Sequence, residues 1–195
     1  ELDGQFIRDF DFWLKTEKHC QNNSALKHLK NLKKVVRIAL ANDWIKKDPF
    51  YGIHFKQEEV NVEFLSREEL DILMNKEFAI QRLEQVRDIF VFCCFTALAF
   101  VDVQQLSREH LTKDNNGALW IRKARQKTNQ MCNIPVLSIP QRILRKYEDN
   151  AECIKKGVLL PVISNQRMNA YLKEIADLCG ITKRLTTHVA RHTAA

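Results

Sequence analysis

The chain has 195 residues, 45% apolar and 28% charged, with only five Gly and four Pro. This is the composition of a globular, mostly helical protein of one large domain or two smaller ones. The net charge of +7 is unevenly placed: no Asp or Glu occurs between Lys18 and Asn42, or between Asn115 and Tyr147. Two acid-free basic segments suggest a polyanion contacted from two sides.

Residues 3–18 carry Phe6, Ile7, Phe10, Trp13 and Leu14 at helical spacing, which predicts an amphipathic helix. The acidic opening Glu1-Leu2-Asp3-Gly4 is unlike a secretory signal. A second helix is expected with Ser24 as its cap and Leu26, Leu29, Leu32, Val36, Ala39 and Leu40 turned inward. On it Lys27, Lys30, Lys34 and Arg37 follow at steps of three or four, with Lys33 beside them. They form a cationic stripe suited to DNA phosphates; an ordinary solvated face is the plainer alternative. Asn42-Asp43 and Lys47-Asp48-Pro49 end the helical signal. Pro49, Gly52 and Lys56-Gln57-Glu58-Glu59 read as a linker. The boundary near 56–62 gives a helical domain over 1–56 and a second domain over 62–195.

Ser66-Arg67-Glu68-Glu69 is a capping box that opens a helix to about Leu73. Arg82–Phe95 predicts a buried helix. The apolar run Ile89–Val101 has 13 residues, too few to span a bilayer. The six cysteines show no C-x-x-C spacing, so reduced thiols in a cytoplasmic protein are expected rather than a zinc site or disulfides. Thr96–Val101 reads as a bend and Asp102 as the start of a short helix. Leu119-Trp120-Ile121 and Cys132–Val136 predict the two strands of a hairpin, with 126–130 near its tip. Helices are expected at about 140–155 and 165–179, the latter capped by Ser164 and ended by Gly180. Thr187 would cap a last helix. The fold class is mostly α with a small antiparallel β-hairpin or sheet.

The last helix holds the densest chemistry. His188 and Arg191, at i and i+3, share a helix face. They offer a proton donor and a planar cation, the pair that holds a phosphodiester and neutralises its developing charge. His188 and His192 have the i, i+4 spacing of a metal helix. No Glu lies between them and no third ligand is evident, so neither metal nor cofactor is expected. Lys127, at the hairpin tip, can pin a phosphate or protonate a leaving oxygen. Arg125 is two residues earlier, on the same face if the segment is extended.

In their order, these features resemble the tyrosine recombinase (phage integrase) family. Leu65-Ser66-Arg67-Glu68-Glu69-Leu70 resembles the entry to its catalytic domain. Thr96–Leu106 resembles its first box, usually Thr-Gly-x-Arg-x-x-Glu-Leu-x-x-Leu. Lys127-Thr128 with Ile134-Pro135-Val136 resembles the hairpin lysine and its setting, and His188-x-x-Arg191-His192 the second box. Asn42-Asp43-Trp44-Ile45 through Asp48-Pro49-Phe50 resembles the exit of the helical core-binding (SAM-like) domain. The resemblance implies a site-specific recombinase or integrase of a mobile element. Its chemistry would be metal-independent phosphoryl transfer through a 3′-phosphotyrosyl link. Arg191 would clamp the phosphate, His188 hydrogen-bond it, Lys127 protonate the 5′-oxygen and His192 buttress the site. The partners implied are double-stranded DNA and further copies of the chain in a tetrameric synapse, with no membrane.

Two departures stand out. Ala99 occupies the place of the first-box arginine. Arg125 is the expected substitute. Arg87 is the runner-up, 12 residues back and roughly 18 Å away at 1.5 Å per residue. Nor is the family's nucleophilic tyrosine present: Tyr51, Tyr147 and Tyr171 precede His188, match no motif and read as structural. The chain is therefore expected to be a fragment, incomplete at the N-terminus of its first domain and cut before the nucleophile, unable by itself to cleave DNA. The alternative is a non-catalytic DNA-binding accessory protein on the same scaffold, which Ala99 favours and the intact Lys127, His188 and Arg191 oppose.

Overall fold

The structure, a computed structural model, describes residues 2–194 and divides between Asn61 and Val62 into two compact units. In the first, α1 (Gly4–Thr16) starts where the Asp3 side chain accepts the Phe6 N–H at 2.8 Å. α2 (Asn22–Ala41) lies against it. Ile7, Leu14, Ala25, Leu26, Leu29, Val36 and Phe50 form their shared core. α2 begins two residues before the expected cap, Ser24, with Gln21 at the cap position. The reason is that Asn22 and Asn23 have other work. Asn22 donates to the Lys56 carbonyl at 3.0 Å. Asn23 donates to the Glu58 carbonyl at 2.8 Å and accepts the Glu58 N–H at 3.0 Å. The stretch expected to be a free linker is thus fastened to α2 over 56–58.

In the second unit, α3 (Arg67–Asn75) opens on the expected capping box: the Glu69 N–H donates to Ser66 Oγ at 3.2 Å, and the Ser66 N–H to Glu69 Oε2 at 2.7 Å. α4 (Gln81–Thr96) is buried along most of its length by Leu83, Val86 and the run Ile89–Cys94. Burial pushes the Cys93 thiol up to about 12 and Cys94 higher still. α4 ends on Ala97 in the left-handed region, φ 52°, and the short α5 (Phe100–Gln104) follows. Then β1 (Leu111–Lys113), β2 (Leu119–Ala124) and β3 (Met131–Pro135) form an antiparallel sheet in that order. Ile121 lies opposite Leu111 on one side and Ile134 on the other. The three residues of β1 are too few to show an alternation, and the sequence gives no sign of it. The helix expected over 140–155 is two, α6 (Ser138–Lys146) and α7 (Ala151–Lys156). They separate because the Asn150 side chain caps α7 by accepting the Glu152 and Cys153 N–H groups at 3.1 Å. α8 (Asn165–Cys179) ends on Gly180, φ 66°. α9 (Thr187–Thr193) is capped by Thr186, one residue earlier than expected. α6, α8 and α9 all pack on α4. Among the described residues no helix is long and apolar enough to cross a membrane.

Ala97 is a side-chain-bearing residue in a conformation that glycine adopts freely. A left-handed residue with a Cβ costs roughly 1–2 kcal/mol, part of which glycine's extra chain entropy would return. Ala97→Gly is therefore expected to stabilise the chain by about 0.5–1 kcal/mol. A higher urea midpoint at unchanged slope is the measurement that checks it.

Candidate phosphodiester site

α9 is held on α4 by its apolar side, where Val189 and Ala190 are buried. Its C-terminal end is pinned by Thr193, whose hydroxyl accepts the Leu65 N–H at 3.0 Å and donates to the Val189 carbonyl at 3.0 Å. This leaves His188 exposed and Arg191 and His192 half-buried. His188 and His192 touch: their Nε2 atoms are 2.9 Å apart, with the rings nearly perpendicular. One Nε2 carries the proton and the other accepts it, so the i, i+4 pair is a hydrogen-bonded couple that orients His188. Among the described residues Arg191 makes no side-chain hydrogen bond or ion pair.

The hairpin tip supplies the other cations. Along β2, Ile121 and Lys123 point inward, and Arg125 continues that alternation half-buried. The chain then turns over Gln126–Thr128, closed by the Asn129 N–H on the Arg125 carbonyl at 2.8 Å, with Asn129 left-handed at φ 53°. Lys127 is therefore exposed in a turn, not in extended chain. The shared strand face expected for Arg125 and Lys127 does not exist, although both ride the same tip. Among the described residues neither side chain has a hydrogen-bonding or ionic partner. The tip is tied down by Asp102, which is 2% exposed. Its Oδ1 accepts the Gln126 N–H at 3.1 Å. Asp102 lies in the first turn of α5, and Ala99 is that helix's cap residue. The hairpin thus docks where α4 hands over to α5, and α9 packs on α4.

Arg87, the runner-up for the missing cation, is fully engaged elsewhere. Its Nε donates to Asp88 Oδ1 at 2.7 Å. Nη1 donates to the carbonyls of Met74 and Lys76, each at 3.0 Å. Nη2 lies 3.8 Å from Glu84. It closes the carbonyl end of α3 and cannot serve a phosphate without unmaking that end. Two members of the second acid-free segment are also engaged within the protein. Lys146 is bound by Asp88 at 2.6 Å and by Glu84. Lys123 is buried, 3.2 Å from His110 Nε2 and 3.4 Å from the Gln105 carbonyl. That basic segment is therefore not one polyanion-facing surface. Lys123 and His110 went unnoticed as partners in the sequence. Extending the β2 alternation past Ile121 would have turned Lys123 inward.

On α2, Lys27, Lys30, Lys34 and Arg37 are exposed as expected, Lys30 also donating to Gln57 at 3.1 Å. Lys33 stands apart, half-buried over the Phe50 ring at 5.3 Å. Tyr147 is buried and donates to Asp88 Oδ2 at 2.9 Å. Burial, and then the Asp88 charge, hold its phenol well above the ordinary range. Tyr171 lies under the Arg82 guanidinium, and Tyr51 is exposed in the first unit rather than packed.

Residues 1–65 match the phage integrase SAM-like domain family. Curated proteins return no match. Among solved structures, lambda integrase (75–356), as a dimer bound to a COC′ core site, superposes with a TM-score of 0.74 at 14% identity, over 98% of this chain and 69% of that one. XerH site-specific recombinase in its post-cleavage complex with palindromic difH substrate gives 0.68 at 16% identity, over 98% and 58%. The Tn1549 transposon integrase, in complex with a circular intermediate DNA, gives 0.72 at 13%, over 100% and 72%. Lambda integrase is also seen as a tetramer bound to a Holliday junction. The chain thus has the fold of the tyrosine recombinases. More particularly, its first third matches the integrase SAM-like domain family, and it spans from just over half to about seven-tenths of the chains it superposes on.

The engagement of Arg87 has a measurable consequence. Arg87→Ala is expected to lower stability by about 2–4 kcal/mol, since it unpairs Asp88 and the α3 carbonyls together. Duplex DNA affinity per folded molecule should not change. Urea denaturation beside a binding isotherm at matched folded concentration checks both.

Proposed function

We propose that the chain is the core-binding domain and most of the catalytic domain of a tyrosine-type site-specific DNA recombinase from a mobile element. One observation carries the reading: among the described residues the half-buried Arg191 and Arg125, and the exposed Lys127, lack acidic partners, while Arg82, Arg87, Lys146 and Lys183 all have them. A half-buried cation without a carboxylate is arranged for an anion that arrives from outside. In this reading a tyrosine hydroxyl beyond residue 195 attacks the DNA phosphorus. The P–O5′ bond breaks, Lys127 protonates the departing 5′-oxygen, and a 3′-phosphotyrosyl link remains. The 5′-hydroxyl of a partner strand reverses the step. Arg191 and Arg125 hold the non-bridging oxygens and offset the charge gained in the pentacoordinate transition state. His188 hydrogen-bonds the phosphate in the orientation set by His192. Strand exchange needs several protomers on DNA, as in the lambda integrase dimer and tetramer. No metal or cofactor enters these steps.

Arg125 takes the place of the arginine that Ala99 lacks. In a chain extended through the nucleophile, Arg125→Ala should slow covalent adduct formation on a nicked cognate site by about 10²–10³-fold. Folding and duplex affinity should stay near wild type. An unchanged rate of adduct formation removes Arg125 from the role. Complete absence of adduct in the extended parent protein favours the second reading, a DNA-binding accessory protein, to which Ala99 itself points.

Duplex binding by the chain is expected to weaken steeply with salt. Replacing Lys30 and Lys34 together by Ala should flatten the slope of log K against log salt by up to about two, at roughly 0.9 per phosphate contact. An unchanged slope would mean that the stripe faces only solvent.

A further inference from the structure

The His188–His192 pair on α9 has a geometry that a hydrogen bond alone does not account for. The two Nε2 atoms are 2.9 Å apart and the ring centroids 4.4 Å apart, with the ring planes at 85°. A straight N–H···N bond of that length would hold the centroids about 5.2 Å apart. The rings therefore meet at an angle rather than end to end. Two imidazoles that share one metal ion also meet at an angle. At metal–nitrogen bonds of about 2.0–2.1 Å, two ligands at a right angle stand about 2.9 Å apart, with ring centroids about 4.5 Å apart. At the tetrahedral angle the nitrogens would stand about 3.3 Å apart. Both observed spacings match the right angle.

The angle selects the ion. Tetrahedral sites suit Zn²⁺, whereas square or tetragonal sites with nitrogen and oxygen ligands suit Cu²⁺ and Ni²⁺. Cu²⁺ also binds such ligands more tightly than its first-row neighbours. The pair is reachable, with His188 exposed and His192 half-buried. Among the described residues each ring's only hydrogen-bonding side chain is the other ring. One proton has to move: that on Nε2 passes to Nδ1 of the same ring, which frees both Nε2 lone pairs. Positions i and i+4 stack on one helix face, so the helix itself holds the two ligands in place. For want of a third ligand the sequence argues against a closed metal site, and among the described residues no third His, Cys, Asp or Glu joins the pair. A chelate needs only the two, and water fills the remaining positions.

We propose that His188 and His192 form a two-imidazole chelate for Cu²⁺, and less tightly for Ni²⁺, and that the bound ion withdraws His188 from the phosphate. The metal site stands on the geometry of the pair. Its consequence rests on the recombinase reading above, in which His188 hydrogen-bonds the phosphate. Ion and phosphate then compete for the same imidazole.

The test is calorimetric titration of the 195-residue chain with the chlorides of Cu²⁺, Ni²⁺ and Zn²⁺. Its accessible thiols, Cys20, Cys132 and Cys179, are alkylated beforehand so that they do not compete. Affinity should fall in the order Cu²⁺, Ni²⁺, Zn²⁺, and electron paramagnetic resonance of the Cu²⁺ complex should show two nitrogen ligands. His188→Ala and His192→Ala should each weaken Cu²⁺ binding by about 10–100-fold, since losing a direct ligand costs no less than losing an outer partner. Cu²⁺ should raise the urea midpoint of the wild-type chain and leave that of His188→Ala unchanged, because the ion binds the folded helix. Wild-type binding no tighter than that of either variant overturns the site, and so does a preference for Zn²⁺ over Cu²⁺. In a chain extended through the nucleophile, saturating Ni²⁺ should suppress covalent adduct formation and EDTA should restore it. Adduct formation indifferent to Ni²⁺ overturns the competition. If the extended chain forms no adduct even without metal, the recombinase reading fails, and the titration alone decides the metal site.

Discussion

Asp88 is 5% exposed in the middle of α4, and its carboxylate joins three parts of the second unit. It accepts from Arg87 on its own helix, from Lys146 at the end of α6 and from the Tyr147 hydroxyl just beyond. Arg87 in turn closes the last carbonyls of α3. A charge buried this deeply is tolerated only when paired and hydrogen-bonded. α4 is therefore the fixed axis on which α9 rests and beyond whose end the hairpin tip is tied. The pairing also separates structural cations from available ones: those that serve α4 cannot serve a ligand.

The segment from Ala97 to Asp102 sets backbone shape apart from charge. Ala97 follows a left-handed backbone path while carrying a Cβ, and Ala99, uncharged, stands at the start of α5. Asp102 keeps its position and fastens the hairpin.

Much of this was legible in the sequence because it depends on local spacing. The Ser66–Glu69 box, the α2 core face, the Gly180 stop and the hairpin strands each follow from residues a few positions apart. Three features were not. The break between α6 and α7 depends on a side-chain cap at Asn150 that competes with a continuous helical pattern. The docking of 56–58 depends on Asn22 and Asn23, more than thirty residues away in the chain. The engagement of Arg87 and Lys146 depends on Asp88 partners that only tertiary packing brings together. Acid-free runs in sequence overstated the free positive surface, because the neutralising carboxylates come from other elements. Of the candidate site, the sequence showed which residue types carry the chemistry, while their availability became visible only in the fold.

The adjacent Cys93 and Cys94 have a use unconnected with phosphate chemistry. Both are buried, and burial holds both thiols far from their reactive anions, so a soluble alkylating reagent meets them only when α4 opens. Cys20, Cys132 and Cys179 are partly accessible in the closed state. The chain therefore carries an internal clock: fast labelling counts its surface thiols, and slow labelling at Cys93 and Cys94 times the opening of α4, against which α9 packs.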